Sequence, residues 1–280
     1  MTGEEEQLWE AKFGYNQNTH KIAVGQSLGQ MYGYVTQGLY EVSDFDYDAT
    51  KKTYLLKEGI PYAGKRADVK PGMWKFANLD NNEVIDENDK TVIGNSNPKF
   101  YGGLNNTFNY KNFDLSIFLT YSFGNDVFNA TKLTNTKTAI KDKNVLNVAN
   151  SGNRWMTIND KGETITDPTE LAAVNAHKNV ATLYDMEVGD TYIHSWAVED
   201  GSFLKLSNIT LGYTFPKKMI NKAGLSSLRL YATGSNLLTW TKYTGFDPEV
   251  STMGNGLTPG VDFGGYPRSR SYVFGINVSF

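Results

Sequence analysis

The chain has 280 residues, a formal net charge of −3 and no cysteine. The absence of cysteine excludes disulfide bonds, cysteine-ligated zinc and thiol catalysis, and the small net charge gives no electrostatic reason to expect binding to nucleic acid or to an anionic membrane surface. The longest apolar runs are only a few residues long, so no transmembrane helix is predicted.

Aromatic residues and glycine are unusually frequent, with 17 Tyr, 15 Phe, 5 Trp and 27 Gly. Together with the short apolar runs, this composition predicts an all-β fold with many turns. The mean hydropathy of −0.44 is also compatible with a membrane β-barrel, because only one face of each of its strands has to be apolar.

The N-terminal stretch MTGEEEQLWE is acidic and lacks the basic and apolar regions of a signal peptide. It therefore predicts either a cytoplasmic protein or a piece of a longer one. The length of the chain fits one large all-β domain or two domains of ordinary size.

The motif GQSLG, residues 25–29, matches the G-x-S-x-G pattern of a serine hydrolase elbow. That elbow requires a strand before Ser27 and a helix after it. The residues that follow include Gly33, Gly38 and several β-type residues, which is unlike a helix. A glycine-rich junction between strands is therefore the favoured interpretation, and a serine hydrolase that uses Ser27 is kept as a third alternative.

The segment NLDNNEVIDENDK, residues 78–90, has the oxygen-ligand spacing of a calcium loop. However, Glu83 replaces the glycine of the sixth position, and the first and last ligand positions carry an asparagine and an aspartate instead of the usual aspartate and glutamate. A solvated acidic turn is therefore favoured over a Ca²⁺ site, and no other cofactor is expected. The Ca²⁺ ligands would be Asn78, Asp80, Asn82, the carbonyl of Val84, Asp86 and Asp89.

Segments of about ten residues with alternating apolar and polar side chains predict long strands. Residues 100–110 and 111–124 form a predicted hairpin around the turn YKNF, and further strands are predicted at 203–216, 228–240 and 271–280. On the central strands one face would carry Leu115, Ile117, Leu119, Ile209, Leu211 and Tyr213, and the other Ser116, Thr120, Asn208 and Thr210.

Residues 125–200 are polar and lack a regular pattern, with a partly helical stretch expected at 135–155. Residues 241–270 make a second such connection. In a membrane barrel both would be long extracellular loops. The three histidines, His20, His177 and His194, are scattered and carry no motif, so they are expected at the surface or in loops.

Four ordered blocks resemble the SusC/RagA-like TonB-dependent outer-membrane transporters of Bacteroidota. They are VGQSLGQMYGYVTQGLYE (24–41), the block from KPGMWKFANLD to SFGNDVFN (70–129), LRLYATGSNLLTWTKYTGFDPEV (228–250) and GGYPRSRSYVFGINVSF (264–280). The first block accounts for the apparent serine motif, and the second contains the acidic loop and the YKNFDLS hairpin. The resemblance extends over most of the chain, from the first block at residue 24 to the last at residue 280.

The resemblance implies an antiparallel transmembrane β-barrel of 22 strands, filled by an N-terminal plug and extended by long extracellular loops. Neither the plug nor a TonB box is recognisable in this sequence. Residues 1–280 are therefore expected to be the C-terminal portion of such a barrel, located in the outer membrane of a Gram-negative, Bacteroidota-like cell.

The resemblance also implies a function without catalysis, namely TonB-dependent import of a glycan or peptide nutrient. The expected partners are a SusD-like surface lipoprotein, the TonB complex through the missing N-terminal part, outer-membrane lipid and the transported ligand, with no nucleic acid. The alternative interpretation is a soluble secreted β-sandwich that binds glycans. In that fold the apolar strand faces would pack against each other.

Overall fold

The computed structural model describes residues 7–12, 16–136, 144–183, 192–252 and 256–280, with side chains from residue 18 onward. The strands are β1 (Gln7–Lys12), β2 (Asn16–Ile22), β3 (Gln30–Tyr34), β4 (Thr36–Leu39), β5 (Phe45–Asp48), β6 (Thr53–Leu56), β7 (Tyr62–Ala63), β8 (Trp74–Phe76), β9 (Val84–Ile85), β10 (Lys90–Asn95), β11 (Phe100–Tyr110), β12 (Phe113–Phe123), β13 (Asp126–Asn129), β14 (Val198–Asp200), β15 (Phe203–Thr214), β16 (Ser227–Thr241), β17 (Val261–Asp262) and β18 (Ser271–Ser279). The helices are α1 (Ala130–Thr134), α2 (Pro168–Asn175) and α3 (Lys217–Ile220).

Strands dominate this fold, which confirms the prediction of an all-β class. The helices are 5, 8 and 4 residues long. Within the described ranges, none of them has the length and apolar character needed to cross a bilayer.

The chain divides into two compact units. We call the first the mixed unit, which consists of Met1–Asn95, Phe128–Val198 and Ser251–Gly264. We call the second the sheet unit, which consists of Ser96–Val127, Glu199–Val250 and Gly265–Phe280. Each unit therefore collects segments that are distant in the sequence.

The sheet unit contains a five-stranded sheet in the order β11-β12-β15-β16-β18, with every neighbouring pair antiparallel. The predicted hairpin is confirmed, with Lys111 and Asn112 as its turn and Lys111 at a φ of 55°. The predicted strand at 203–216 ends at Thr214, two residues before Pro216. The last two predicted strands are confirmed as β16 and β18.

A β-bulge interrupts the pairing of β15 with both of its neighbours. Asn208 pairs with Phe118, but Leu206 pairs with the next residue, Leu119, so Ser207 is an extra residue in β15 relative to β12. Toward β16 the extra residue lies in β16, because Leu206 pairs with Leu238 and Asn208 pairs with Ser235. An extra residue shifts the alternation of side chains by one position. Each side chain before Ser207 therefore lies on the face of the sheet opposite to the one it would occupy in a regular strand. The bulge therefore places Leu206 on the same face as Ile209.

The mixed unit contains a sheet in the order β1-β2-β3-β10 and three two-stranded ladders, β4-β8, β5-β6 and β7-β9. In addition, β13 pairs in parallel with β17 at Phe128 and Asn129. The main core of the unit includes Tyr40, Phe76 and Trp155, each 1% exposed. The short ladders are thus held together by a shared aromatic core.

The segment predicted as a long polar loop, residues 125–200, differs from that expectation. It has few regular elements, as predicted, but it contributes buried side chains to the mixed unit at Phe128, Leu133, Trp155, Leu171 and Ile193. These residues are widely spaced, so no periodic pattern indicated that they are buried. Part of the expected helical stretch at 135–155, residues 137–143, lies outside the described residues.

Gly72 allows close packing in the core of the mixed unit. Its φ is 89°, and a Cβ at this position would overlap the indole ring of Trp155. Its N–H donates to the carbonyl of Tyr40 at 2.8 Å. Gly72 therefore serves both as a left-handed turn residue and as space for the tryptophan.

The substitution Gly72→Ala should destabilise the protein more than Gly25→Ala. Gly25 has a similar φ of 80° but no atom within 4 Å of its would-be Cβ, so it controls for backbone strain alone. We expect the free energy of unfolding to fall by about 1–3 kcal/mol more in Gly72→Ala because the core is overpacked. Thermal unfolding followed by circular dichroism in detergent would measure this, and equal losses in both variants would contradict the packing role.

Candidate functional site

The five-stranded sheet has one apolar face, which is exposed. Two rows of directly paired residues define this apolar face: Leu104, Leu119, Leu206 and Leu238, and Phe108, Leu115, Leu211, Ala232 and Phe274. Leu104, Leu211 and Phe274 are 53%, 50% and 80% exposed. Exposed apolar areas of this extent are unusual on soluble monomers and indicate a surface that meets lipid or another apolar surface.

Aromatic side chains lie at both ends of the apolar face. At one end the rings of Phe100 and Phe123 are 5.2 Å apart. Trp240, which pairs directly with Leu204, lies at the same end. At the other end the rings of Phe113 and Tyr213 are 4.7 Å apart. The leucine and isoleucine residues lie between these two aromatic ends, which is the distribution found where a protein surface crosses a bilayer.

The opposite face of the sheet is polar, and its side chains bond to each other. Thr210 and Thr233 share a hydrogen bond of 2.8 Å between their hydroxyl groups, and the Asn208 amide donates to the hydroxyl of Ser235 at 3.1 Å. Ser116 is the direct neighbour of Thr210 in β12. The predicted separation of the two faces is therefore confirmed at the residue level.

A buried ionic cluster lies on the polar face at one end of the sheet. Lys205 is 3% exposed and forms an ion pair with Glu249, with Asp247 3.9 Å away. Arg268 reaches Asp247 at 3.4 Å and Glu249 at 3.3 Å. A buried ammonium group is tolerated only when it is paired, so this cluster attaches the predicted second loop, residues 241–270, to β15. Sequence reasoning missed it, although a lysine within the apolar stretch FLKLS was a possible signal.

The predicted calcium loop is closed by its own hydrogen bonds. Asp89 is fully buried, and its Oδ1 and Oδ2 accept the backbone N–H groups of Leu79 and Asp86 at 2.6 and 2.8 Å. Four other predicted ligands also use a side-chain oxygen in this way, because each accepts a hydrogen bond from one backbone N–H at 2.6–3.1 Å. They are Asn78, Asp80, Asn82 and Asp86. In the part of the chain that the structure describes, no three His, Asp or Glu side chains are grouped to hold a metal ion. The calcium site stays a prediction.

The sharp turn of this loop lies at Asn81 and not at Glu83. Asn81 has a φ of 63°, in the left-handed region that asparagine tolerates. The Glu83 carboxylate accepts hydrogen bonds from Arg66 at 2.9 Å and from the Gly59 N–H at 3.2 Å. The replacement of glycine by Glu83 therefore imposes no backbone strain, and Glu83 helps to anchor the loop.

The expectation that the histidines lie at the surface or in loops is wrong for His20, which lies in β2 and is buried, whereas His194 lies outside the strands and helices but is not at the surface. His177 is exposed, but His20 and His194 are fully buried. His20 Nε2 donates to the carbonyl of Pro259 at 3.0 Å, and its Nδ1 accepts from the hydroxyl of Thr19 at 2.8 Å. Burial lowers the pKa of His20 to about 4, opposed in part by the bond to Pro259, so the ring is neutral at pH 7 and acts as a structural connection.

The GQSLG motif has no nucleophile-elbow geometry. It lies between β2, which ends at Ile22, and β3, which begins at Gln30, so no helix follows it. Ser27 is exposed and donates to the carbonyl of Leu28 at 3.0 Å. The interpretation as a junction between strands is confirmed.

The mixed unit also contains an open groove of about 730 Å³, which we call the indole groove. Trp74 and Trp196 line it, with ring centroids 4.9 Å apart, together with polar side chains from β4 and the neighbouring residues. The sequence indicated only that its many aromatic residues, Trp74 of WKFANLD among them, could stack on sugars, and it assigned none of them to a ligand. The walls of the groove come from segments more than 100 residues apart.

Comparison with curated proteins identifies several relatives, although no family model matches the chain. The TonB-dependent receptors P3 and P39 of Formosa agariphila are 32% and 30% identical, over 94% and 95% of this chain and 23% and 26% of their own lengths. SusC of Bacteroides thetaiotaomicron, also a TonB-dependent receptor, is 29% identical over 73% of this chain and 17% of its own length. This chain therefore spans about a quarter or less of these relatives.

Solved structures of the RagAB peptide importer share the fold of the chain. In its open-open state the importer aligns with 100% of this chain and 24% of its own, at a TM-score of 0.62 and 20% identity. A second RagAB structure, described as a peptide transporter, aligns with 94% of this chain at a TM-score of 0.61. The resemblance seen in the sequence is thus confirmed by relatives and by fold.

Substitution of Asp89 should open the acidic loop whether or not calcium is added. Asp89→Ala leaves the N–H groups of Leu79 and Asp86 without their buried acceptor, at a cost of about 1–3 kcal/mol for each group. We expect faster hydrogen exchange at both amides, measured by mass spectrometry with and without millimolar Ca²⁺. Asp80→Ala is the control, because its carboxylate is exposed. Strong protection of the wild-type loop by Ca²⁺, lost in both variants, would instead establish a metal site.

Proposed function

Because the chain is a relative of the SusC/RagA-like TonB-dependent receptors over nearly its whole length, we propose that it is a membrane-embedded part of an importer in the bacterial outer membrane. The cargo would be a glycan or peptide nutrient, and no residue is assigned a catalytic role. The observation that carries this proposal is the exposed apolar face of the five-stranded sheet, opposite a polar face whose side chains bond to each other.

The dimensions of the sheet support a membrane-spanning role. β12 has 11 residues, which extend over roughly 37 Å at about 3.4 Å per residue. A strand tilted by about 40° then covers roughly 28 Å along the membrane normal, close to the apolar band of about 25 Å on outer-membrane barrels. The aromatic residues at both ends would lie at the two membrane interfaces.

The finer architecture follows from the same premise. β11 and β18 are the outer strands of the sheet among the described residues, and an open sheet edge is not stable in lipid. We propose that both edges continue into further strands of a closed barrel of 22 strands, of which residues 1–280 are the C-terminal portion. The polar face would then line the lumen.

The proposed partners also follow from the relatives. A SusD-like surface lipoprotein would cover the extracellular opening, and the TonB complex would act through a plug and N-terminal region that precede this portion. Support comes from SusC among the relatives and from the similarity in fold to the RagAB peptide importer. No nucleic acid is proposed as a partner.

The soluble β-sandwich is less well supported. A sandwich buries the apolar face of each sheet against a second sheet, whereas Phe274 and Ile276 of the apolar face are 80% and 65% exposed. Water would therefore contact these side chains in a soluble protein, at a cost of about 25 cal/mol per Å².

A pair of arginine substitutions on β15 tests the membrane assignment. Leu211 lies on the apolar face, and the next residue, Thr210, lies on the polar face beside Ser116 and Thr233. In the complete importer, reconstituted in lipid vesicles, Leu211→Arg should lower the free energy of unfolding by about 1–2 kcal/mol, because it places a charge among acyl chains one row of side chains from the aromatic residue Tyr213. Thr210→Arg is the matched control and should have a much smaller effect. Urea unfolding followed by tryptophan fluorescence would measure both, and an equal or larger effect of Thr210→Arg would refute the assignment.

A further inference from the structure

The indole groove in the mixed unit has a rigid aromatic floor. Trp74 is 5% exposed and packs at 4.9 Å against Trp196, which is half-buried and contributes to the groove. Lys132 fixes Trp196 from a neighbouring helix: its Nζ lies 4.2 Å from the ring centroid and donates to the carbonyl of Trp196 at 2.9 Å. Lys132 therefore covers part of one face of the Trp196 ring, and the part of the ring that lines the groove is held in place before any ligand arrives.

The charged groups of the groove balance one another. Its lining includes two carboxylates, Glu41 and Asp44, and two ammonium groups, Lys75 and Lys178. Lys75 contacts both oxygens of Asp44 at 3.1 Å, and Lys178 donates to the carbonyl of Gly152 at 2.9 Å. No net formal charge remains to select an ionic ligand, so a neutral ligand fits the lining best.

The wall of the groove supplies neutral hydrogen-bonding groups. Gln37 on β4 and Asn179 place exposed side-chain amides at the groove. Thr36 and Ser195 stabilise this wall, because the Thr36 N–H donates to the Ser195 hydroxyl at 2.9 Å. Amides are able to donate and accept at the same time, which suits a ligand rich in hydroxyl groups.

We propose that the indole groove is a binding subsite for a neutral oligosaccharide, with one sugar ring packed on Trp196 and its hydroxyl groups bonded to Gln37 and Asn179. A sugar ring combines an apolar C–H face with a rim of hydroxyl groups, which matches a flat indole beside amides. An extended peptide would need separate pockets for alternate side chains, whereas the apolar part of this groove is a single aromatic floor. The inference rests on the proposed function, because it assigns a class of cargo to the importer.

Isothermal titration calorimetry on the full chain in detergent tests this subsite. The probes are neutral hexasaccharides of α-1,4-linked glucose, β-1,3-linked glucose, β-1,4-linked mannose and β-1,4-linked xylose. We expect saturable binding of at least one probe, weakened about tenfold or more by Trp196→Ala, less by Trp196→Phe, and also weakened by Gln37→Ala. Trp240→Ala is the control, because Trp240 belongs to the apolar face of the sheet unit, and it should leave binding unchanged.

Three results would overturn the saccharide subsite: no binding of any of the four probes, binding that is equally strong in all variants, or Trp196-dependent binding of neutral peptides alone. Gln37→Ala keeps the test valid if Trp196→Ala fails to fold, because Gln37 is exposed. The membrane assignment is decided separately by the arginine pair on β15. If the arginine pair behaves as predicted and no saccharide binds, only the subsite is contradicted. If saccharide binds through Trp196 but the arginine pair does not behave as predicted, only the membrane assignment is contradicted.

Discussion

The sorting of side chains to two faces of one sheet is the constraint on which the proposed role depends. On the apolar face, Leu211 lies between its direct neighbours Leu115 and Ala232, and on the polar face Thr210 bonds to Thr233. In water this arrangement would expose leucine and phenylalanine at a cost that a small sheet cannot offset. In a bilayer the same face is solvated by acyl chains, and the polar face has its hydrogen-bond partners within the protein.

Two local features preserve this sorting where a regular strand would lose it. The bulge at Ser207 turns Leu206 to the apolar face and Lys205 to the polar face. Without the extra residue, the lysine would lie on the face proposed to contact lipid, where a cation is costly. On the polar face Lys205 meets Glu249, and Arg268 completes the cluster. The bulge and the ion pairs thus depend on each other.

The sequence predicted the long strands and their faces well, because period-two alternation is a local property that β12 and most of β15 obey. It could not predict the bulge at Ser207, since a bulge is defined by the partner strands. The burial of His20 and Trp155 and the walls of the indole groove depend on contacts between distant segments, which no local pattern records. The sequence located the turn of the acidic loop, but the residue with a left-handed backbone is Asn81. The calcium-loop pattern would place the sharp turn at the position of Glu83.

The orientation of the sheet toward lipid is measured most directly by spin-label accessibility on adjacent residues of β11. The chain has no native cysteine, so Leu104→Cys and Asn105→Cys each give a single labelling site on opposite faces. In the complete barrel, reconstituted in lipid vesicles, the account predicts that the label at position 104 collides mainly with oxygen dissolved in the bilayer, and the label at 105 mainly with a water-soluble nickel chelate. Equal access of the nickel chelate to both labels would contradict it.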